Sequence, residues 1–447
     1  MKRWLGCCSA PGGGATFNFA LSGDPVTIPS TVIAPSSDIE TLVDRRAVGY
    51  SLESPFYTSP EVFDLDIAAI FAKHWLFSAT EAEIPDAGDY VTVDLGPYSV
   101  IVVRDDDENI RAFHNVCRHR GSRLLQDGCG SVGNIVCPYH QWTYRVDGEL
   151  VFAESQPPEL DKSKWGLRPI PVRSLAGLIF ICLADDTPPD FDDVADVLQP
   201  YLAPYDLANT KLAHQSDLVE EGNWKLVMEN NRECQHCDAA HPELITAYFP
   251  LFGYSQNDIT PRLRPVFDRY TAAQENLQNA CTATGFPRDA HRELDNRITG
   301  FQIQHLPLDG GGSSFGPNGE AVSRKLLGTV PEPRFGDVSI HMQPNSWFHL
   351  LSDHAVVFRV IPLSAGRSVV RTTWLVHPDA QEGLDYDLDN LTSVWKATND
   401  QDRDLVAGAQ SGVADPGYLP GPYSIVEGDV EAFTNWYIGR LRAHLAS

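Results

Sequence analysis

Basic residues are scarce in this sequence. Its 447 residues include 34 Lys and Arg against 60 Asp and Glu, which gives a formal net charge of -26. A protein that binds the nucleic-acid backbone needs clustered positive charge to displace counterions. The composition therefore predicts that nucleic acid is not a partner.

Long apolar runs and cysteines are scarce as well. The longest apolar run, Ala176–Ala184, is nine residues long, whereas a membrane-spanning helix needs about 20. Nine unevenly spaced cysteines are too few for the disulfide framework of a secreted protein. We expect no membrane segment and a reducing compartment, the cytoplasm. The first 44 residues lack an apolar secretion signal, and we expect residues 1–44 to be flexible.

The periodicity of apolar residues divides the rest of the chain in two. Residues 45–186 are predicted to form an all-β domain, because short alternating segments begin at Tyr90, and a helix at Asp64–Trp75 precedes them. In residues 187–447 helical and strand-like segments are mixed, with strands from Val338 to His377 forming an antiparallel meander. The predicted fold class is α+β.

Three further segments of the second domain matter for the site. Residues Asn223–His241 are predicted to be one helix, and Tyr386–Gln410 the final long helix. The segment Phe252–Asn318 has little pattern, so part of it is expected to be a mobile lid.

Two short Cys/His pairs dominate the first domain. Cys117 and His119 are followed, after seventeen residues, by Cys137 and His140. Zinc fingers usually place both cysteines in one pair and both histidines in the other. Here each pair holds one thiolate and one imidazole, so one iron of a [2Fe-2S] cluster can bind two Cys and the other two His, the Rieske arrangement. A structural zinc site is the alternative.

A second metal site is predicted around His236 and His241. Two histidines five residues apart lie about 140° apart on an ideal helix. They can share a metal if the helix is distorted or ends there, and Pro242 favours an ending. Two imidazoles and one carboxylate form the facial triad of non-haem iron(II) oxygenases, which leaves positions open for O2.

A helical wheel identifies the carboxylate. With Val394 at zero, the residues between about 20° and 60° define a buried stripe, and Asp402 falls beside it at about 80°. Asp400 and Asp404 fall at about 240° and 280° and are expected to face water. A carboxylate on a buried face needs a cation, so Asp402 is predicted to be the third ligand. The stripe consists of Leu391, Thr398, Leu405 and Ala409.

Residues beside the histidines have predicted roles too. Glu233 precedes His236 by three residues and shares its helix face, so it can hold that ligand or reach a histidine of the cluster. The Cys234 and Cys237 pair is interpreted as inert helix thiols.

Four segments of this sequence together resemble the oxygenase α subunits of Rieske non-haem iron oxygenases, and within them the branch that N-demethylates quaternary ammonium compounds. The segments are FHNVCRHRGSRL, CPYHQWTY, NWKLVMENNRECQHCDAAHPEL and VWKATNDQDRDLVAGAQSG. The resemblance runs from Pro55 to the carboxyl end.

The resemblance implies a Rieske domain followed by a helix-grip catalytic domain, in which an antiparallel sheet is combined with helices. It implies a [2Fe-2S] cluster on Cys117, His119, Cys137 and His140, and Fe(II) on His236, His241 and Asp402. It also implies a homotrimer in which Glu233 serves catalysis by coupling the two metal centres between subunits. A separate flavin and iron-sulfur reductase would deliver electrons from NAD(P)H.

The expected reaction uses O2 to N-demethylate a small quaternary ammonium compound, with glycine betaine first, giving dimethylglycine and formaldehyde. A cation without N–H groups is best held by aromatic faces, and Tyr248, Phe249, Trp347 and Phe348 are possible walls. One alternative is an aromatic-ring hydroxylating α subunit. Another is a Rieske electron-transfer protein, which would lack the iron triad.

Overall fold

The computed structural model describes residues 37–126, 128–157, 159–185, 187–188, 190–251 and 253–447. The expected flexibility of residues 1–36 lies outside these ranges. Flexibility was wrongly extended to residue 44, because Ser37–Asp44 forms helix α1 and its Leu42 and Val43 side chains are buried. No helix of the described residues is long and apolar enough to cross a membrane.

Two short helices lie between α1 and the first strand. They are α2 (Pro55–Thr58) and α3 (Pro60–Asp66), and a π-helical turn, Ile67–Phe71, follows them. The helix predicted at Asp64–Trp75 was therefore misplaced. Ser59 caps α3 by accepting the Val62 N–H at 3.2 Å, and Trp75 belongs to a strand because it pairs with Cys182 across a sheet. Strand pairing in the tertiary structure thus overrides the local helical spacing.

Among the described residues, ten strands form the all-β domain predicted from the alternating pattern. They are β1 (Trp75–Thr80), β2 (Asp89–Leu95), β3 (Tyr98–Arg104), β4 (Ile110–His114), β5 (Cys129–Ser131), β6 (Ile135–Val136), β7 (Thr143–Tyr144), β8 (Leu150–Phe152), β9 (Val172–Leu175) and β10 (Leu178–Cys182). They build three antiparallel sheets, ordered β4-β3-β2-β5, β6-β7-β8 and β1-β10-β9. The acidic turn between β3 and β4 is fixed by Asp105, whose side chain accepts the N–H groups of Asp107 and Asn109.

The second domain combines helices with one large sheet, so the α+β prediction is confirmed. Its elements are α4 (Phe191–Leu202), β11 (Lys211–Glu220), α5 (Trp224–Asn231), α6 (Cys237–Ala240), α7 (Arg264–Thr284), β12 (His291–Glu293), β13 (Phe301–Leu306), β14 (Asp337–Met342), β15 (Ser346–Leu350), β16 (His354–Ser364), β17 (Arg367–Val376), α8 (Leu388–Val413) and α9 (Gly428–Leu445). The seven strands form an antiparallel sheet in the order β11-β17-β16-β15-β14-β13-β12.

Two helices depart from the sequence predictions. The weakly patterned segment after residue 252 contains α7, a helix of 21 residues. Helix α9 follows α8, which is therefore not the final helix. Buried residues cover most of the circumference of α9, so its amphipathic period is weak. These residues are Val430, Ala432, Phe433, Thr434, Trp436, Tyr437, Ile438 and Leu441.

A buried carboxylate ties three helices together at the start of α5. Asp66, at the end of α3, is fully buried and accepts hydrogen bonds from Trp224 Nε1 at 2.8 Å and from the Tyr437 hydroxyl at 2.6 Å. It also forms an ion pair with the fully buried Lys225. A buried charge is tolerated when it is paired and hydrogen-bonded, so this anchor fixes the helix that leads to the predicted iron ligands.

Candidate metal centres

Two loops of the first domain are built on the same turn. The N–H of Gly121 donates to the Cys117 carbonyl at 3.0 Å, and the N–H of Gln141 donates to the Cys137 carbonyl at 3.1 Å. Both closing residues have positive φ angles, 74° and 57°, a conformation that glycine adopts freely and other residues rarely. Each loop thus brings the side chains of its cysteine and its histidine to the same side of a tight turn.

The structure brings the four predicted cluster residues together. Cys117 and Cys137 are buried, with 3% and 1% exposure, whereas His119 and His140 are half-buried and their ring centroids lie 4.6 Å apart. His119 Nδ1 is buried and has no hydrogen-bond partner among the described residues. An orphaned imidazole nitrogen beside two buried thiols fits a [2Fe-2S] cluster with its histidine-bound iron nearer the surface.

Two aromatic residues for which no role was predicted lie against this centre. The Tyr144 hydroxyl lies 3.4 Å from Cys117 Sγ and accepts the Arg118 N–H at 3.0 Å. The Trp142 ring stacks on His119 with centroids 4.9 Å apart. Hydrogen bonds to cluster sulfur and the burial around it set the reduction potential. The QWTY run after His140 was the available signal.

The helix predicted at Asn223–His241 is broken in the middle. Helix α5 ends at Asn231, and the one-turn helix α6 begins at Cys237. His236 is the residue before α6 and His241 the residue after it, where φ and ψ are -120° and 67°. The break removes the wide angular separation expected on a continuous helix, and the two ring centroids lie 5.0 Å apart.

Helix α8 places Asp402 against both histidines, as the wheel predicted. Its Oδ1 lies 3.1 Å from His241 Nε2 and 3.5 Å from His236 Nε2. Within the described ranges, neither Asp402 Oδ1 nor His241 Nε2 has a hydrogen-bond partner of acceptable geometry, although both are buried. Two imidazole nitrogens and one carboxylate oxygen that converge in this way fit a mononuclear iron(II).

Hydrogen bonds behind the ligands orient both imidazoles. Glu233 Oε1 lies 2.5 Å from His236 Nδ1. Gln401 Oε1 lies 2.8 Å from His241 Nδ1, and the Gln401 amide in turn donates to Glu243 at 2.8 Å. Each Nδ1 therefore carries the proton, which leaves the Nε2 lone pairs for the metal. The prediction for Glu233 beside His236 agrees with this contact, whereas Gln401 and Glu243 were missed.

In the metal-free site, nearby carboxylates favour protons on the histidines, and a bound metal would displace those protons. Burial opposes protonation of His236, yet the Asp402 and Glu233 carboxylates raise its pKa to about 9. For His241 burial is likewise outweighed by Asp402, and its pKa is raised. Burial tends to raise the pKa of Asp402, but the two histidines lower it overall. Without a metal the Asp402 and Glu233 carboxylates thus favour a proton on His236.

The two cysteines beside His236 are not helix thiols. Cys234 lies in the break between α5 and α6, and it forms a disulfide with Cys237. Cys237 Sγ is 3.9 Å from His236 Nε2. A disulfide sulfur is no thiolate donor, which leaves Asp402 as the candidate for the third ligand beside the two histidines. The interpretation as inert thiols was wrong.

A cavity of about 60 Å³ lies at the three ligands. Tyr248, one of the possible walls, lines it, and so does Trp395, which was missed. The other candidate walls lie elsewhere. Phe249 lines a neighbouring cavity, Trp347 stacks on Phe358, and Phe348 packs edge-on against Phe77. The volume is enough for a few water molecules, which favours a small substrate.

The chain matches two protein families. Residues 207–443 match the ring hydroxylating alpha subunit (catalytic domain), and residues 74–171 match the Rieske [2Fe-2S] domain. This chain is 44% identical over 407 residues to a glycine betaine monooxygenase oxygenase subunit of Chromohalobacter salexigens. The aligned region covers 90% of this chain and 88% of the relative. The identity to the corresponding subunit of Pseudomonas aeruginosa is 43% over 409 residues, 90% of this chain and 92% of the relative.

Solved structures show the same architecture. The quaternary ammonium Rieske monooxygenase CntA, in complex with γ-butyrobetaine, matches with a TM-score of 0.63 and 22% identity, over 90% of this chain and 98% of that one. Naphthalene 1,2-dioxygenase from Rhodococcus sp. matches with a TM-score of 0.65 and 21% identity, over 91% and 99%. These two likenesses establish the fold.

Proposed function

The chain belongs to the ring-hydroxylating α-subunit family of Rieske oxygenases, and we propose on that premise that it is the oxygenase component of a monooxygenase that demethylates glycine betaine. It is an iron-dependent oxidoreductase whose cofactors are a [2Fe-2S] cluster and a mononuclear iron(II). The observation that carries the proposal is the convergence of His236, His241 and Asp402 at a cavity walled by Tyr248 and Trp395. The two betaine-oxidising relatives support the substrate.

The cavity suits a small onium ion. A quaternary nitrogen has no N–H group to donate, so it is held by aromatic faces, each contributing about 0.5 to 2 kcal/mol depending on desolvation. Tyr248 and Trp395 offer two such faces. The carboxylates of Glu233 and Asp402 line the same cavity and favour a cation near the metal ligands.

The reaction would remove one N-methyl group per turnover. Iron held by His236, His241 and Asp402 would activate O2 with electrons delivered through the cluster. One oxygen atom is inserted into a methyl C–H bond of glycine betaine, and the resulting carbinol breaks down to formaldehyde and dimethylglycine. The other oxygen atom leaves as water with two protons and two electrons. A separate flavin and iron-sulfur reductase passes these electrons from NAD(P)H, which places the enzyme in the cytoplasm.

Electron transfer in this proposal crosses a subunit boundary of a homotrimer. Within the described part of one chain, Glu233 accepts hydrogen bonds from His236 and from the Gln235 N–H, and none from the Cys117–His140 stretch. His140 is half-buried in its own domain, so its ring is accessible to a neighbouring subunit. Glu233 would then bridge His236 to the neighbour's His140. With iron at saturation, Glu233→Gln should keep both metals and lose turnover with the reductase. A wild-type rate would contradict the bridge.

The substrate is tested by product stoichiometry. Purified oxygenase, its reductase and NADH are offered glycine betaine, and formaldehyde is measured beside NADH consumption. We expect formaldehyde and oxidised NADH in equal amounts, with Asp402→Ala as the control that oxidises no betaine. If no betaine releases formaldehyde and an arene is converted to a diol or phenol, the aromatic-ring hydroxylase is the correct assignment.

A further inference from the structure

Two histidines of the large sheet lie side by side on the wall of the iron-site cavity. Ser339 of β14 pairs directly with His349 of β15. His341 is two residues beyond Ser339, so its side chain points to the same face of the sheet. All three residues line the cavity that contains the iron ligands, and both imidazoles are 5% exposed. Polar side chains on the wall of a buried cavity can bind the polar group of a ligand and fix its orientation.

The His349 ring is held in one orientation. Its Nδ1 lies 2.7 Å from Asp337 Oδ2, and the ring stacks on Trp395 with centroids 4.6 Å apart. Because Asp337 engages Nδ1, Nε2 is the nitrogen left for a ligand in the cavity. An imidazole that contacts a carboxylate at each nitrogen donates from both of them. A carboxylate ligand at Nε2 thus meets a ring whose orientation Asp337 and Trp395 already fix.

A buried positive charge lies behind the same wall. Arg232 is fully buried and donates to Asn231 Oδ1 at 2.5 Å and to Gln343 Oε1 at 3.1 Å. The described part of the chain gives it no ion-paired carboxylate, and Asp429 is the acid whose charge acts on it. Burial, and then the Arg232 charge, lower the pKa of His341 well below its usual range. A buried cation without a directly paired acid favours an anion nearby.

We propose that His341 and His349 form a subsite that binds the carboxylate of the substrate and so select onium compounds that carry a carboxylate. This subsite rests on the proposed function, and it would recognise the carboxylate end of the substrate. Trp395 and Asp402 lie seven residues apart on α8, which is about 10.5 Å along the helix axis. The cavity thus has an acidic end at Asp402 and an imidazole end at His341 and His349. A short zwitterion can span the distance between these two ends. Bound this way, its methyl groups face the iron ligands.

The test is ligand binding without turnover. Glycine betaine and choline share the trimethylammonium group, and choline has a hydroxyl where betaine has the carboxylate. Their dissociation constants are measured by calorimetry on the anaerobic iron-loaded protein and on His349→Phe, which keeps an aromatic ring against Trp395 and removes the donor. We expect betaine affinity to fall about 10- to 100-fold and choline affinity to change less than about twofold. His305→Gln, a buried histidine outside the cavity, is the control and should leave both constants unchanged.

Each outcome has one meaning. Equal weakening of both ligands by His349→Phe, or no change for betaine, overturns the subsite and leaves the proposed function standing. A wild-type protein that binds no onium compound overturns the proposed function and this inference with it. If His349→Phe does not fold, His341→Asn gives the same comparison, with betaine again expected to lose affinity selectively.

Discussion

Iron(II) should bind the His236, His241 and Asp402 site more tightly as the pH rises. In the metal-free protein the Asp402 and Glu233 carboxylates overcome the effect of burial and raise the pKa of His236 to about 9. The proton and the metal compete for His236 Nε2, so below about pH 9 each unit of pH changes the apparent affinity roughly tenfold. At about pH 7, two units below that pKa, the proton weakens binding roughly a hundredfold.

Equilibrium dialysis measures this dependence directly. Protein with an intact cluster and a chelator-emptied mononuclear site is dialysed anaerobically against iron(II) between about pH 6 and about pH 8, and bound iron is counted above the cluster iron. We expect the dissociation constant to fall as the pH rises. Glu233→Gln removes one of the two carboxylates that hold the proton, so its pH dependence should be shallower, while its affinity at the alkaline end falls roughly 10- to 100-fold. An affinity independent of pH, or a steeper dependence in Glu233→Gln, would refute this account of the charges.

Four further substitutions test the ligand assignments. His236→Ala should remove the mononuclear iron and retain the iron and acid-labile sulfide of the cluster, and zinc found in place of the cluster would refute the Rieske assignment. Asp402→Ala should abolish iron binding, whereas Asp400→Ala, at a 60% exposed side chain paired with Arg403, should keep its iron and change stability by less than about 0.5 kcal/mol. Cys237→Ser should retain full iron occupancy by metal analysis, because the carboxylate and not the sulfur completes the site; loss of iron would make Cys237 a ligand.

The sequence predicts a ligand well where it lies on a regular element with one buried face. Asp402 was found because the wheel of α8 separates it from Asp400 and Asp404, which are exposed as expected. The same wheel failed one turn further on. Leu405 is 41% exposed and Val406 is buried instead, because the buried face of α8 shifts to where Val406 packs on the backbone at Gly222. The position of that partner surface is not encoded in the periodicity of one helix.

The sequence around residues that act through long-range contacts does not indicate their role. Gln401 holds His241 from 160 positions away. His341 and His349 lie on strands that are buried at every position, so no alternation separates the side of the sheet that faces the cavity from the side that faces the core. The break between α5 and α6 was likewise hidden, because its polar run fits a helical period and the disulfide between Cys234 and Cys237 forms only in three dimensions.

The Asp66 anchor has a consequence for the maturation of the enzyme. Its carboxylate accepts hydrogen bonds from Trp224 of α5 and from Tyr437 of α9, so α9 helps to fix the helix that leads to the candidate iron ligands. Until α9 docks, Asp66 and Lys225 have no complete set of partners in which to be buried, and α5 lacks its final position. The iron site is therefore expected to reach its final geometry only after residues 428–445 have been synthesised and α9 has docked.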